Sequence, residues 1–177
     1  NRILTIHDDG SITLEADPRH VPLLLRSLGL EESSKTMVAP MARESEEEVF
    51  KAVGECVPLV GADSTKYRSA TMRAAYLAQD RFDVQFTVKE LAKEMHHPTT
   101  WSVHRLKHLA RYLIRRPRAV LTFVPQCSAT QLVCEVDAGY AGDKVSRKST
   151  SWGVVFYGKH ILKSWASNQA VIALSTG

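Results

Sequence analysis

The sequence predicts an α+β fold in which a helical bundle precedes a set of antiparallel strands. Between residues 64 and 117, apolar residues recur at helical spacing in successive segments joined by short breaks. From residue 131 onward the pattern changes to strand-like runs at 132–136, 151–157 and 160–165, the last two separated by Gly158-Lys159 as in a hairpin. With 44% hydrophobic and 24% charged residues, the composition is that of an ordinary globular protein.

Length, cysteine content and charge narrow the class of protein. The 177 residues can form one domain or two small ones, and no window approaches the ~18 apolar residues of a membrane span. The three cysteines form no CxxC pair, which disfavours a disulfide framework or a zinc site and favours a reducing compartment. Because the chain begins with neither Met nor a signal-peptide pattern, we expect an internal fragment of an intracellular protein, cytoplasmic or nuclear. The net charge of +4 permits a nucleic-acid partner without requiring one.

The N-terminal residues predict a β-hairpin. Asp9-Gly10 separates the apolar-rich runs 3–7 and 11–15, and both turn residues tolerate positive φ. An alternative for Asp8 and Asp9 is the metal-binding aspartate pair of a polymerase. Such a pair follows an aromatic and an apolar residue on a buried hairpin, whereas this pair follows a histidine, so an exposed turn is favoured.

A helix and then a linker are predicted between residues 17 and 63. Asp17 is placed to cap the helix, Pro18 to be its first residue and Gly29 to end it. The segment 43–63 contains an acidic run that is typical of a solvated face or a flexible loop. We therefore predict a linker there.

Three amphipathic helices are predicted between residues 64 and 117. Ser64 or Thr65 can cap the first helix, which is expected to run to residue 78, and Asp83 can cap the second. Thr99 or Thr100 starts the third helix, which is expected to run to residue 117. The predicted core faces are Tyr67, Ala70, Ala74 and Leu77; Val84, Val88, Leu91 and Met95; and Val103, Leu106, Leu109, Ala110 and Leu113.

The third helix has a basic surface without acidic residues. The residues between Trp101 and Arg118 include several Lys and Arg but no Asp or Glu. Phosphate contacts from such a surface release counterions, so the pattern predicts binding to a nucleic-acid backbone. The alternative is a solvated charged face, which every amphipathic helix has. The predicted binding residues on this helix are Arg105, Lys107, Arg111 and Arg115.

Asp137 is the candidate catalytic residue. It follows the apolar-rich run 132–136 and precedes a small-residue turn, and two further strand-like runs follow. This pattern is similar to the start of RNase H-like folds, in which an Asp lies at the end or on the inner face of the first strand, before a hairpin. From its spacing alone, Asp137 could also be an ordinary turn residue. A basic, hydroxyl-rich loop at 144–150 follows, from which three residues could reach a nucleic-acid backbone: Lys144, Arg147 and Lys148.

The order of these motifs resembles one family. VDAGYAGD, RKSTSWGVVF, ILKSWASNQ and VIALST occur in the sequence and spacing of the RNase H region of copia-type retrotransposon Pol polyproteins. YRSATMRAAYLAQDRFDVQFTVKELAKEMHHPTTWSVHRLKHLARYL resembles the polymerase thumb and connection segment of the same family, and SITLEADPRHVPLLLRSLGLEESSKTMVAPM resembles the segment just past the catalytic strands of the palm. The resemblance covers nearly the whole chain outside residues 43–63. Ala39-Pro40-Met41 departs slightly from the "TPM"-like loop of the family.

The resemblance implies a domain order. Residues 1–42 would be the end of a reverse transcriptase palm, 43–63 a linker, 64–117 a helical thumb or connection, and 118–177 the N-terminal part of an RNase H-like domain, truncated. Asp143 lies outside the catalytic set of the family, so we interpret it as a loop-capping residue.

A cofactor, a function and partners are also implied. Asp137 would be the first of the carboxylates that hold two catalytic Mg²⁺ ions. The parent polyprotein would synthesise DNA on an RNA template and hydrolyse the RNA strand. Its partners would be an RNA–DNA hybrid or template–primer duplex and the remainder of the Pol polyprotein, with no membrane. Because Gly177 comes before the helix that carries the catalytic Glu in copia-type sequences, we expect no catalysis from this chain alone.

Two other hypotheses are compatible with the sequence. The chain could be a non-catalytic nucleic-acid-binding remnant of a decayed element, or a protein-interaction fragment with no nucleic-acid role. Binding to an RNA–DNA hybrid over a salt series distinguishes the last hypothesis from the others. The sequence beyond residue 177 would distinguish an enzyme from a remnant.

Overall fold

A computed structural model describes residues 1–128, 130–143 and 146–175, apart from the side chains at positions 46, 49 and 53. The chain forms two compact units. The helical unit contains Asn1–Ile3 and Glu15–Val120, and the β unit contains Leu4–Leu14 and the chain from Leu121 onward. The fold is therefore α+β, as predicted.

The helical unit contains α1 (His20–Ser27), α2 (Glu46–Glu55), α3 (Gly61–Ala78), α4 (Phe82–Lys93) and α5 (Thr100–Arg115). α3 packs against α1 and α4, and α5 contacts α1, α3 and α4. The predicted helical bundle is confirmed, because the apolar positions at helical spacing are the ones that fill its core. The buried side chains include Leu24, Tyr67, Ala74, Val84, Leu91, Leu106, Leu109 and Leu113.

The predicted start of α1 is wrong by two residues, whereas its predicted end is confirmed. Asp17 uses Oδ1 to accept the backbone N–H of Arg19 at 2.9 Å and pairs through Oδ2 with the Arg19 guanidinium at 2.7 Å. These contacts hold Asp17-Pro18 in a turn before the helix, which begins at His20. Gly29 lies just beyond the helix with a φ of 64°, in the left-handed conformation that commonly ends helices.

A helix, α2, lies in the predicted linker. Ser45 Oγ accepts the backbone N–H of Glu48 at 3.2 Å, and a Glu48 carboxylate oxygen accepts the backbone N–H of Ser45 at 2.8 Å. This reciprocal capping box satisfies N–H groups that a helix start leaves without partners. Acidic residues in the first turn are also favoured by the helix dipole, so the acidic run begins a helix rather than a flexible loop.

The starts of α3 and α4 both differ from the predictions. The segment before α3 is held by the backbone N–H of Leu59, which donates to the carbonyl of Pro98 at 2.8 Å, so α3 begins at Gly61 and Ser64 is buried inside it. α4 begins at Phe82, with Asp83 in its first turn rather than at its cap. Thr99, in contrast, caps α5 as predicted.

Two three-stranded sheets form from β1 (Ile3–Ile6), β2 (Ile12–Glu15), β3 (Val120–Phe123), β4 (Leu132–Gly139), β5 (Thr150–Tyr157) and β6 (His160–Asn168). Their strand orders are β1-β2-β3 and β4-β5-β6. The predicted N-terminal hairpin is confirmed, with Gly10 at a φ of 77° in its turn. The predicted C-terminal hairpin is also confirmed: β4 pairs with β5 and β5 with β6, both antiparallel, and Gly158 has a φ of 58°.

A close approach of Trp165 to Gly153 orders one face of the second sheet. The two residues are cross-strand partners, and a Cβ atom on Gly153 would overlap the indole ring of Trp165. Only glycine leaves room for the ring to lie flat on the strand.

No helix within the described ranges has the length and apolarity to cross a membrane.

Candidate nucleic-acid interface

The basic residues of α5 lie on the side opposite its core face. Leu106, Leu109 and Leu113 are fully buried. Each residue advances a helix by about 100°, so Lys107, Arg111 and Arg115 occupy the far side together. We call these three residues the cationic stripe. Arg115 is exposed, Lys107 and Arg111 are half-buried, and no Asp or Glu occurs in α5.

Arg105 does not belong to this stripe, although the sequence predicts it as a binding residue. Its guanidinium forms a close ion pair with Glu94, and its Nε lies 3.5 Å from a Glu44 carboxylate oxygen. All three side chains are largely buried, and a pair of carboxylates already compensates the charge of Arg105. Sequence reasoning missed this because both acids come from outside α5.

The segment from Met37 to Met41 lies along the cationic side of α5. The backbone N–H of Met37 donates to the carbonyl of Arg111 at 3.3 Å, and His108 Nε2 lies 3.1 Å from the carbonyl of Ala39. The Arg111 Nε is consequently buried, and it has no hydrogen-bond partner among the residues that the structure describes. Arg115, one turn further, is the more accessible cation of the stripe.

Beyond α5, one basic residue is paired with an acidic side chain and another is not. Arg118 forms two hydrogen bonds to the Glu15 carboxylate, at 2.8 and 2.6 Å, and these lower the pKa of Glu15. Arg116 is exposed. Within the described ranges, neither Arg115 nor Arg116 forms an ion pair, so their charges are available to a partner.

In the β unit, Asp137 lies inside strand β4 and not in the turn after it. Its cross-strand partner is Trp152, and its Oδ1 accepts the backbone N–H of Ala138 at 2.8 Å. The side chain is exposed, and Glu135, two residues earlier, shares its face of the strand. The strand extends through Gly139 because its backbone remains paired with β5 as far as Thr150.

Within the part of the chain that the structure describes, the carboxylates needed for a magnesium centre do not come together. No three His, Cys, Asp or Glu side chains in the described parts of the chain come close enough together to hold a metal ion. Two-metal hydrolysis of a phosphodiester requires several carboxylates around the same pair of ions. Asp137 in this setting can supply one ligand and cannot by itself activate a water.

Asp143 contacts the described residues that follow position 145 in the loop between β4 and β5. Its carboxylate accepts the backbone N–H of Ser146 at 2.8 Å, and its carbonyl accepts the backbone N–H of Arg147 at 2.8 Å. The interpretation of Asp143 as a loop-capping residue is therefore confirmed. The predicted contact residue Arg147 is exposed and Lys148 is half-buried, whereas Lys144 lies outside the described residues.

Comparison with known proteins adds no relative. No protein-family model, curated protein or solved structure matches this chain.

Proposed function

We propose that this chain binds the sugar–phosphate backbone of a nucleic-acid duplex, an RNA–DNA hybrid or template–primer, as part of a copia-type retrotransposon Pol polyprotein. The family assignment rests on the ordered sequence motifs. The observation that supports binding is the cationic stripe of α5, which lies opposite the core on a helix without acidic residues. A structural role for these cations would favour nearby carboxylates, as Arg105 and Arg118 have.

Phosphates suit this surface better than a protein carboxylate would. Lys107, Arg111 and Arg115 succeed one another at four-residue intervals, so adjacent cations are about 6 Å apart along the helix axis. A nucleic-acid strand presents a row of phosphates that successive cations can contact, and each contact releases condensed counterions. Backbone contacts position a duplex without reading its sequence, so binding would tolerate any sequence.

The proposed role is binding and not hydrolysis. The resemblance implies a Mg²⁺-dependent polymerase and RNase H for the parent polyprotein, with Asp137 as one metal ligand. Around Asp137, however, the described residues do not provide the further carboxylates that this chemistry requires. We therefore expect no cleavage of a labelled RNA–DNA hybrid by this chain in Mg²⁺. Cleavage that is abolished by Asp137→Asn would contradict this expectation.

The decisive test is the salt dependence of binding. Fluorescence anisotropy of a labelled blunt hybrid, measured between about 50 and 200 mM salt, gives the slope of log affinity against log salt. Each lost phosphate contact reduces that slope by about 0.9, so the double substitution of Arg111→Gln and Arg115→Gln is expected to reduce it by about 1.8.

Arg118→Gln is the matched control. It removes one positive charge close to the end of α5, but this charge is already paired with Glu15, so the slope is expected to change little. If the double variant keeps the affinity and slope of the unmodified protein, the cationic stripe is only a solvated face. If the unmodified protein binds no nucleic acid at any salt concentration, the protein-interaction hypothesis is favoured instead.

A further inference from the structure

The side chain of Gln126 fastens the connection between β3 and β4 to the β5–β6 turn. Its amide NH2 group donates to the carbonyl of Tyr157 at 3.0 Å, and its amide oxygen accepts the backbone N–H of Lys159 at 2.9 Å. The amide packs so closely over the turn that a Cβ atom on Gly158 would overlap it. All of these residues belong to the β unit.

The two backbone partners determine which way the Gln126 amide points. A backbone N–H can only donate and a carbonyl can only accept, so the amide oxygen faces Lys159 and the NH2 group faces Tyr157. A flipped amide would set donor against donor and acceptor against acceptor. The NH2 group has a second N–H, and any further partner of that group must be an acceptor.

That further partner is the half-buried ring of His160. Its Nδ1 lies 3.2 Å from Gln126 Nε2, and its Nε2 lies 2.8 Å from the carbonyl oxygen of Val124. Because the carbonyl can only accept, Nε2 carries the ring proton and Nδ1 is left to accept from Gln126. The Phe123 ring meets the His160 ring edge to face, with 5.3 Å between centroids. These contacts require a neutral ring in one tautomer.

A proton on Nδ1 would place an N–H group against the NH2 group of Gln126. No acidic side chain in the described parts of the chain forms an ion pair with His160 that would offset the added charge. The titratable groups on the elements around the ring and the connection are Tyr157, Lys159 and Cys127, and, in the β1–β2 turn beside Pro125, His7, Asp8 and Asp9. Protonation therefore opposes the contact with Gln126.

We propose that Gln126 and His160 form a proton-sensitive latch, which is closed when the ring is neutral and opens when Nδ1 takes up a proton. Opening releases the connection between β3 and β4 from the β5–β6 turn. A free histidine ring takes up a proton near pH 6.5, so the latch responds to mild acidification. The inference is independent of the proposed nucleic-acid binding, because the latch lies in the β unit and the cationic stripe in the helical unit.

The open latch binds one proton more than the closed latch. Closure is therefore favoured at high pH and weakens as the pH falls. One proton per opening changes the ratio of open to closed molecules by at most tenfold for each pH unit below about 6.5. Above about pH 7.5 the ratio is expected to stay constant.

Nuclear magnetic resonance of the whole chain labelled with ¹⁵N measures both partners of the latch between about pH 8 and about pH 5. At the upper end, the His160 ring nitrogens are expected to show a protonated Nε2 and a bare Nδ1. The Lys159 backbone N–H is protected from hydrogen exchange while the latch is closed. After correction for the pH dependence of exchange itself, this protection is expected to fall by up to tenfold per pH unit below about 6.5.

Substitutions assign the response to the latch. A carboxylate can accept both the Lys159 N–H and the Nδ1–H of a protonated ring, so Gln126→Glu is expected to make Lys159 protection rise in mild acid. His160→Gln is expected to remove the pH dependence. His7→Gln is the matched control in the same unit: His7 Nε2 lies 3.1 Å from the Thr13 hydroxyl, which can donate or accept, so the response is expected to be unchanged.

Several outcomes would overturn the latch. These are a protonated Nδ1 at about pH 8, or Lys159 protection that stays constant between about pH 7.5 and about pH 5.5. A response that survives His160→Gln would assign the effect to another group and would reject the latch as well, as would a Gln126→Glu variant that responds to acid like the unmodified protein. The ring tautomer and the titration are measured on the unmodified protein, so they decide the inference even if a variant does not fold.

Discussion

Asp83→Asn should be strongly destabilising, because Asp83 is the counterion of a buried arginine. The Arg81 side chain is 1% exposed and donates to both Asp83 carboxylate oxygens, at 2.9 and 2.7 Å. The Tyr112 hydroxyl donates to the same carboxylate at 2.7 Å and thereby joins α5 to the start of α4. These contacts form a largely buried charged cluster in the helical unit.

The expected loss of stability depends on which buried group each substitution leaves without a partner. Removing one partner of a buried ion pair costs about 3–5 kcal/mol, because the remaining charge is left without compensation. The Asp83 side chain is 33% exposed, which lets water partly replace it, so we expect a loss of about 3 kcal/mol at neutral pH. Tyr112→Phe removes one hydrogen bond to a charged group and keeps the ion pair, so its expected cost is about 1.5 kcal/mol.

The loss of stability caused by Asp83→Asn should depend on pH. Burial alone would raise the pKa of Asp83, but hydrogen bonds from Arg81 and Tyr112 outweigh it and lower that pKa below its ordinary value. A carboxyl group with a lowered pKa stabilises the fold fully above its unfolded pKa of about 3.9 and loses this contribution as the pH falls through the folded value. The difference between the unmodified protein and Asp83→Asn should therefore shrink in acid.

Urea unfolding followed by circular dichroism at about pH 7 and about pH 2.5 measures this difference. Other carboxylates also titrate over this range, but they do so in both proteins and largely cancel in the comparison. A loss below about 1 kcal/mol at neutral pH, or an equal loss at both pH values, would refute the reasoning.

Three further predictions concern the fold. Leu106→Ala, at a fully buried position, should lower the free energy of unfolding by about 2–5 kcal/mol in urea titrations; a loss under about 1 kcal/mol would place this side chain outside the core. Ser45→Ala should destabilise α2 by about 1 kcal/mol, seen as faster amide hydrogen exchange in α2 but not in α5; uniform acceleration would contradict a local cap. Gly153→Ala should displace the Trp165 ring and change the near-ultraviolet circular dichroism, whereas Gly142→Ala, whose Cβ would make only an ordinary van der Waals contact, should not; identical spectra would exclude the close approach.

Much of the helical unit was predictable because its helices bury one face each. The positions Tyr67, Val88 and Leu109 were assigned to the core from spacing alone, and all are buried. α2 was missed although its start carries a readable signal, since Ser45 and Glu48 have the spacing of a capping box. The acidic composition of the segment, which is typical of a solvated loop, obscures this local signal.

The candidate interface was predictable only as a pattern of charge. The sequence identifies a helix with many cations and no acids, but it does not indicate which cations find partners elsewhere. Arg105 is paired with Glu94 and Glu44, and Arg118 with Glu15, over separations of 11 to 103 residues. The remaining stripe and the single carboxylate at Asp137 stay predictions until binding is measured.

The sequence by itself determined the secondary structure and the core positions of α3, α4 and α5, because hydrophobic periodicity and local turn residues act over a few residues. Tertiary structure alone decided which charges are compensated, where α3 begins and how Gln126 and His160 come into contact. Those features depend on contacts between residues far apart in the chain, and such contacts leave no periodic signal in the sequence that forms them.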